Sequence, residues 1–344
     1  MLYSLYPTDE PALRAAVADA ALRDGDAPLV FTSLHIPESV GLRAFGAELA
    51  GLHRDRGIRF CADVSPGTLD LLGVRIGELG LLRDWGVTMV RIDYGFDPEQ
   101  VRAIADAGGF RVAVNASTVS ADVLDALDGL RPAGWHNFYP RPETGLAEEF
   151  FAAQNALLLE RGLELFTFIP GERSFRAPLN RGLPTVESHR HANAYLNHAR
   201  VLALCPQTRV VCAEGTLLPR HQEWIRRREQ DGEVVLPLTG LHPAVGYLLD
   251  ESWRLRPEGS AISHRIEGTR GRPTPSDAVN ADRRQRGSLQ ADLAGTGRYA
   301  GELHLIRRDA PLSPDQARVG EVAAPYRGVV ETLRPGDRVR FVAA

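Results

Sequence analysis

Eight short β-rich runs alternate with amphipathic helical runs through the first two-thirds of the chain, and this alternation limits the fold more than any other feature. The runs are Leu2 to Pro7, Leu29 to Leu34, Ile58 to Val64, Met89 to Tyr94, Arg111 to Asn115, Gly134 to Tyr139, Glu164 to Ile169 and Arg209 to Cys212. Strands separated by helix-length segments pair in parallel through crossover helices. Eight is the number that closes a (β/α)8 TIM barrel, a fold of about 250 residues. The intervening segments carry the helical stripe: Leu13, Val17 and Ala20 or Ala21 within Pro11 to Leu22, then Leu42, Phe45, Leu49 and Leu52.

Beyond Val234 helical periodicity fades, and Gly and Pro punctuate short strand-like runs. We therefore expect an α/β chain with a barrel over residues 1–238 and a small β-rich domain over 239–344. The strand candidates of the second domain are Ala261 to Ile266, Ser288 to Leu293, Gly301 to Ile306, Val319 to Val322 and Val339 to Val342. Gly268 to Arg286 reads as a solvated polar loop, in spite of Arg283, Arg284 and Arg286.

Composition removes several chemistries. All 40 basic side chains are arginine, so Schiff-base aldolases, lysine-anchored pyridoxal enzymes and Walker-type phosphate loops are excluded. A net charge of -4 argues against nucleic acid as a partner. Cys61, Cys205 and Cys212 lack the spacing of a disulfide framework or a zinc site. No run approaches the roughly 18 to 20 apolar residues of a membrane span, and the N-terminus begins on a strand without a basic or cleavage region. The expectation is a cytoplasmic protein with a small-molecule partner, of undetermined oligomeric state.

Parallel barrels place their sites where the strands end, so the polar residues that break each apolar run become candidates. These are Asp63, Asp93, Asn115 and the group His136, Asn137 and Tyr139. The long loop after the seventh strand adds Glu187, His189 and Arg190, and the last strand ends at Glu214 and Gly215. Asp93, set among Ile92, Tyr94 and Phe96, must be paired or used. A salt bridge with Arg91 is not expected, on the ground that neighbouring strand residues face opposite sides. Glu187 reads either as a ligand of the site or as a cap for a helix beginning near Ser188, and His136 reads equally well as a core histidine. Two carboxylates reaching one pocket suit glycoside hydrolysis. Glu187, His189 and His191 with Asp63 or Asp93 suit a metal-dependent sugar isomerase instead, although two histidines at i and i+2 diverge by about 200° on a helix.

Several strings in fixed order resemble one family: Phe31-Thr32-Ser33-Leu34, Arg91-Ile92-Asp93-Tyr94-Gly95-Phe96, Val114-Asn115-Ala116-Ser117, His136-Asn137-Phe138-Tyr139-Pro140 with Thr144-Gly145-Leu146, Gly182 through Arg190, and Gly297-Arg298-Tyr299-Ala300-Gly301-Glu302-Leu303. The family is that of the bacterial 6-phospho-N-acetylmuramidases. The resemblance implies a TIM barrel followed by a cyclophilin-like β-domain. It also implies cleavage of the bond between N-acetylmuramic acid 6-phosphate and N-acetylglucosamine in cell-wall recycling. Its motifs carry over to Asp93, Asn115, His136, Asn137, Tyr139, Thr144, Glu187, His189, Arg190, Arg298 and Glu302. The chain departs from the pattern ahead of the Gly-Arg-Tyr motif, where it reads Asp292-Leu293-Ala294-Gly295-Thr296, and in its first strand.

The preferred reading is a glycosidase needing neither metal nor cofactor, acting on a phosphorylated amino-sugar disaccharide. Asp93 and Glu187 are the expected catalytic pair, with Glu187 the acid if its loop encloses it in apolar surroundings and raises its pKa. Asp63, Asn115, His136, Asn137, Tyr139, Thr144 and His189 are expected to contact the sugar. Arg190 and Arg298, with Arg265 in reserve and Glu302 beside them, are expected to read the anionic groups. A metal-dependent sugar enzyme and a non-catalytic sugar-phosphate binder are the alternatives.

Overall fold

The computed structural model describes residues 1–25, 28–35, 41–273, 275 and 283–344. Eight parallel strands close into a barrel: β1 Leu2–Ser4, β2 Leu29–Ser33, β3 Arg59–Val64, β4 Val87–Ile92, β5 Arg111–Asn115, β6 Ala133–Trp135, β7 Leu165–Ile169 and β8 Thr208–Cys212. Every run expected from the sequence is a barrel strand. The run beginning at Gly134 is much shorter than expected, because the chain leaves the sheet at His136.

Alternation along each strand sends one side chain in two to the barrel interior. Leu29 and Phe31, Cys61, Met89, Ala113, Ala133 and Trp135, Phe166 and Phe168, and Val211 form one buried cluster there. Trp135 stacks on Phe166 with ring centroids 4.0 Å apart, and Phe31 meets Phe168 edge-on at 5.0 Å. Two residues further along β2, β3, β4 and β5 the same inward-facing positions are polar, as Ser33, Asp63, Arg91 and Asn115. Register then sets Ser33 beside Asp63 and Asp63 beside Arg91. A floor of aromatic side chains therefore supports a ring of polar groups at the strands' C-terminal ends.

The second unit contains a mixed seven-stranded sheet in the order β10-β15-β9-β14-β12-β13-β11. Its strands are β9 Glu233–Thr239, β10 Ser252–Arg254, β11 Ser263–Arg265, β12 Ser288–Asp292, β13 Leu303–Ile306, β14 Gln316–Val322 and β15 Arg338–Ala343. The chain divides into units Met1–Pro219 and Arg220–Ala344, earlier than the break expected after residue 238. The physical reason is pairing that sequence proximity hides. β9 lies parallel to β15 and antiparallel to β14, and the helix Pro219–Asp231 packs through His221 and Trp224 on Tyr326. The expected polar loop from Gly268 to Arg286 falls partly outside the described residues. Among those described, no helix is long and apolar enough to cross a membrane.

Candidate active site

Arg91 organises the polar ring. Only 2% exposed, it donates from Nη1 to Asp63 Oδ1 at 2.8 Å and to Asp93 Oδ1 at 3.2 Å, and from Nε to the Trp135 carbonyl at 3.1 Å. Its Nη2 donates to Asn137 Oδ1. The expectation that Arg91 and Asp93 do not pair is wrong, because positions two apart on a strand share a face. His35 completes the group, with Nδ1 3.2 Å from Asp63 Oδ2 and Nε2 3.9 Å from Asp93 Oδ2. Burial pushes the Asp63 carboxyl upward in pKa against the opposing pull of Arg91 and His35. Asp93 is more open, its side chain 20% exposed.

Asn115 and Asn137 join the cluster, while His136 does not. Asn115 Nδ2 donates to Asp93 Oδ1 at 2.9 Å, and its Oδ1 accepts from the Ser117 amide at 3.1 Å. Tyr139 lies within the fields of Arg91 and Asp93, and partial burial raises its hydroxyl pKa. His136 is fully buried, with Nδ1 3.0 Å from Ser117 Oγ and Nε2 2.8 Å from Asn155 Oδ1. Desolvation lowers its pKa to about 4, which makes it the core histidine of the two readings.

The loop after β7 contradicts the expectation for Glu187. Its carboxylate accepts from Arg190 Nε and Nη2, each at 2.6 Å, and from the amides of Glu143 at 2.9 Å and Gly145 at 2.8 Å. The Arg190 bonds, assisted by these amides, hold its pKa down at about 2, opposite to the elevation a general acid needs. Arg190 is equally committed. Its remaining donors go to the carbonyls of Arg181, Gly182 and Arg141, so the guanidinium has no fork left for a phosphate. No helix starts at Ser188. Glu187–His189 is a single 3-10 turn, and the helix begins at Ala194 under an Asn193 cap. His189 is buried, neither ring nitrogen has a hydrogen-bond partner among the described residues, and desolvation lowers its pKa to about 4. Thr144 is exposed and donates to the Arg141 carbonyl at 2.7 Å.

A second group at the mouth joins Glu214, a strand-end candidate, to Arg176, which was not singled out from the sequence. Arg176 lies over the rings of Tyr6 at 4.5 Å and Phe138 at 5.5 Å, and its Nη1 is buried without an acceptor among the described residues. Glu214, 2% exposed, accepts from the Arg176 amide at 2.6 Å. Burial raises Glu214 to about 7 and nearby Asp9 to about 6. His35 was also missed. It stands two residues beyond Ser33 on the inward-facing side of its strand, and that spacing was the signal that could have found it.

The candidates of the second unit are held by their neighbours. Arg265 pairs with Glu258 at 3.6 Å, and exposed Arg298 lies over Tyr299 at 4.9 Å. Glu302, 3% exposed, is gripped by Arg256 and Arg270, both at 3.0 Å, and not by Arg298. Metal-binding geometry does not arise from Glu187, His189 and His191. Among the described residues the convergent sets are His35, Asp63 and Asp93, and Asp292, Glu302 and His304, each with ligand atoms within 4.8 Å of one another. In the first set Arg91 already supplies the cation between the two aspartates.

Residues 3–214 match the family model described as 6-phospho-N-acetylmuramidase, N-terminal. The solved structure of a conserved protein of unknown function from Enterococcus faecalis superposes with a TM-score of 0.84 at 27% identity, covering 100% of this chain and 96% of that one. An uncharacterized B. cereus protein superposes with a TM-score of 0.79 at 21% identity, covering 99% and 98%. No curated protein matches the sequence.

Proposed function

The chain belongs to the 6-phospho-N-acetylmuramidase family, and on that premise we propose that His35, Asp63, Arg91 and Asp93 form the reaction centre. As a member the protein is a glycosidase of peptidoglycan recycling, and its substrate is a phosphorylated muramyl sugar. The finer reading is hydrolysis of the bond between N-acetylmuramic acid 6-phosphate and N-acetylglucosamine. One observation carries the assignment: two carboxylates from adjacent strand ends, bridged by one buried guanidinium and flanked by an imidazole, with oxygens and nitrogen within 4.8 Å.

Carboxyl groups about 5 to 5.5 Å apart accompany retention of configuration, whereas inversion needs roughly 6.5 to 9.5 Å to admit water. Asp63 and Asp93 each offer an oxygen within 4.8 Å of the other, and we read this close approach as favouring retention. Asp63 fixes the His35 ring, and this pair delivers a proton to the leaving oxygen and takes one back from the attacking water. Asp93, with Oδ1 occupied by Arg91 and Asn115, presents Oδ2 to the sugar. It acts either as the nucleophile or by orienting an acetamido group that attacks in its place.

Arg176 is the proposed reader of the phosphate. It projects from the β7 loop, where barrels commonly bind phosphate, and the upward-shifted carboxyls of Glu214 and Asp9 lessen repulsion of an anion. The resemblance supports a cyclophilin-like second unit, and the free thiols of Cys61, Cys205 and Cys212 suit a reducing, cytoplasmic setting. The test is incubation with muramyl 6-phosphate disaccharide and its unphosphorylated twin, with products read by mass spectrometry and the new anomer by NMR. Cleavage of the phosphorylated sugar with retention is expected, and an inverted product would sink the Asp63–Asp93 assignment.

A further inference from the structure

Arg176 sits on a largely exposed loop, with Phe175 and Leu179 near it 47% and 44% exposed, yet it is held at two points. Both belong to the end of β8. The Ala213 carbonyl accepts from the Tyr6 hydroxyl at 2.6 Å, and the fully buried Tyr6 ring lies under the Arg176 guanidinium at 4.5 Å. The next residue, Glu214, accepts from the Arg176 amide at 2.6 Å, and the Leu183 amide helps to hold charge on the same carboxylate. One point seats the side chain and the other seats the backbone.

Two glycines let the β7 and β8 loops come this close. A Cβ on Gly171 would collide with the Glu214 carbonyl oxygen, and one on Gly215, at φ 58°, would lie 2.7 Å from the Ser174 carbonyl oxygen. Across the joint the Glu172 and Arg173 amides donate to the Thr216 carbonyl at 3.2 and 3.1 Å. The Glu172 carboxylate accepts from the Ala194 and Leu218 amides at 3.1 and 3.0 Å. Beyond Arg173 the tie at Arg176 is the Glu214 carboxylate.

We infer that Glu214 is the positioning residue of Arg176, fixing the loop's backbone so that the guanidinium, laid on Tyr6, keeps its free edge toward the phosphate. The inference rests on Arg176 as the reader of the phosphate and deepens that reading. Glu214 is 2% exposed and does not meet the substrate itself. A guanidinium recognises an anion as a planar fork, and on a long flexible stem that fork discriminates only when its plane is held. Nη1, buried without an acceptor among the described residues, is the donor so held.

The experiment reads the ratio of kcat/KM for phosphorylated over unphosphorylated muramyl disaccharide. Glu214→Ala removes the acceptor and should lower the ratio at least about tenfold, through KM, as a misplaced binding group does. Glu214→Gln keeps an acceptor oxygen at the same reach without the charge, and should bring the ratio back to within about threefold of wild type. A glutamine variant as poor as the alanine one would show that Glu214 acts by charge, and the inference would fall. Glu214→Ala added to Arg176→Ala should lower the ratio no further, because the first acts through the second. A further loss in the double variant would also overturn it. Amide hydrogen exchange over residues 173–182 should quicken at least about tenfold in Glu214→Ala, and unchanged exchange would mean that Glu214 does not hold the loop. If Arg176→Ala alone leaves the ratio unchanged, the phosphate reading falls instead, and exchange at the Arg176 amide then decides the role of Glu214. Should the alanine variant fail to fold, Glu214→Asp, whose carboxylate stops one methylene short, takes its place in every comparison.

Discussion

Arg190 grips Glu187 through two separate nitrogens on two separate oxygens, Nε to Oε1 and Nη2 to Oε2, both at 2.6 Å. This fork, with the amides of Glu143 and Gly145 on the same carboxylate, pins the β7 loop to the segment around those two residues. Glu187→Gln should therefore act first on stability. Arg190 is 1% exposed and would keep an unpaired charge, so the loss should fall at the lower end of roughly 3 to 5 kcal/mol, given that Glu187 is 32% exposed. The sign with pH follows from the lowered pKa. The contribution is fully present above the ordinary value of 4.5 and disappears as pH falls toward about 2. Chemical denaturation of wild type and variant should show a gap that closes over that interval, and a gap independent of pH would contradict it.

Arg91 should tolerate no substitute. Its guanidinium meets Asp63, Asp93, Asn137 and the Trp135 carbonyl at once, and lysine has the charge without the fork. Arg91→Met and Arg91→Lys should each lower turnover at least about 100-fold, and the methionine variant should lose about 3 to 5 kcal/mol by leaving two close carboxylates unshielded. A lysine variant with near-normal kcat would show that Arg91 merely neutralises charge.

Asp93→Asn and Asp63→Asn should separate by kinetic signature. Asp93 is the more open carboxylate and faces the sugar, so its amide should lower kcat by about two to four orders of magnitude with the fold intact. Asp63 positions His35, so Asp63→Asn should also flatten the limb of the pH–rate profile that reports the proton donor. An unchanged profile would remove His35 from proton transfer.

Two buried histidines should make the barrel lose stability as the pH falls. His136 and His189 are buried neutral, with pKa values lowered from 6.5 to about 4. Unfolding lets each take a proton, so the stability present above pH 6.5 should fall as pH drops toward 4, by up to about 1.4 kcal/mol per pH unit for each group. Glu214 and Asp9, raised to about 7 and about 6, act in the opposite sense over the same range. The readout is therefore the difference between wild type and His136→Gln in thermal melts between pH 7 and 4, which should shrink as the pH falls. A difference independent of pH would contradict it.

The barrel was legible in the sequence because strand and helix periods are local. Eight apolar runs at helix-length intervals leave a closed parallel sheet as the economical arrangement, and the polar residues ending them, Asp63, Asp93, Asn115 and Asn137, mark its mouth. The second unit was less legible. β9 follows directly on the helix Pro219–Asp231 in sequence, yet it pairs with β15 across about a hundred residues, so its membership depends on long-range pairing.

Charge partnership is the part that only the tertiary structure decided. A carboxylate's chemistry depends on which cation or amide lies within about 3 Å and on how much water is excluded, and neither is written in spacing along the chain. Glu187 and Glu214 look alike in sequence, each at the end of an apolar segment. Folding gives one an arginine fork and two amides, which lower its pKa to about 2, and buries the other, which raises it to about 7. The alternation of β2 and β4 placed Ser33, His35, Arg91 and Asp93 on the inward side, but only closure of the barrel brought the two strands' ends to one cluster with Asp63.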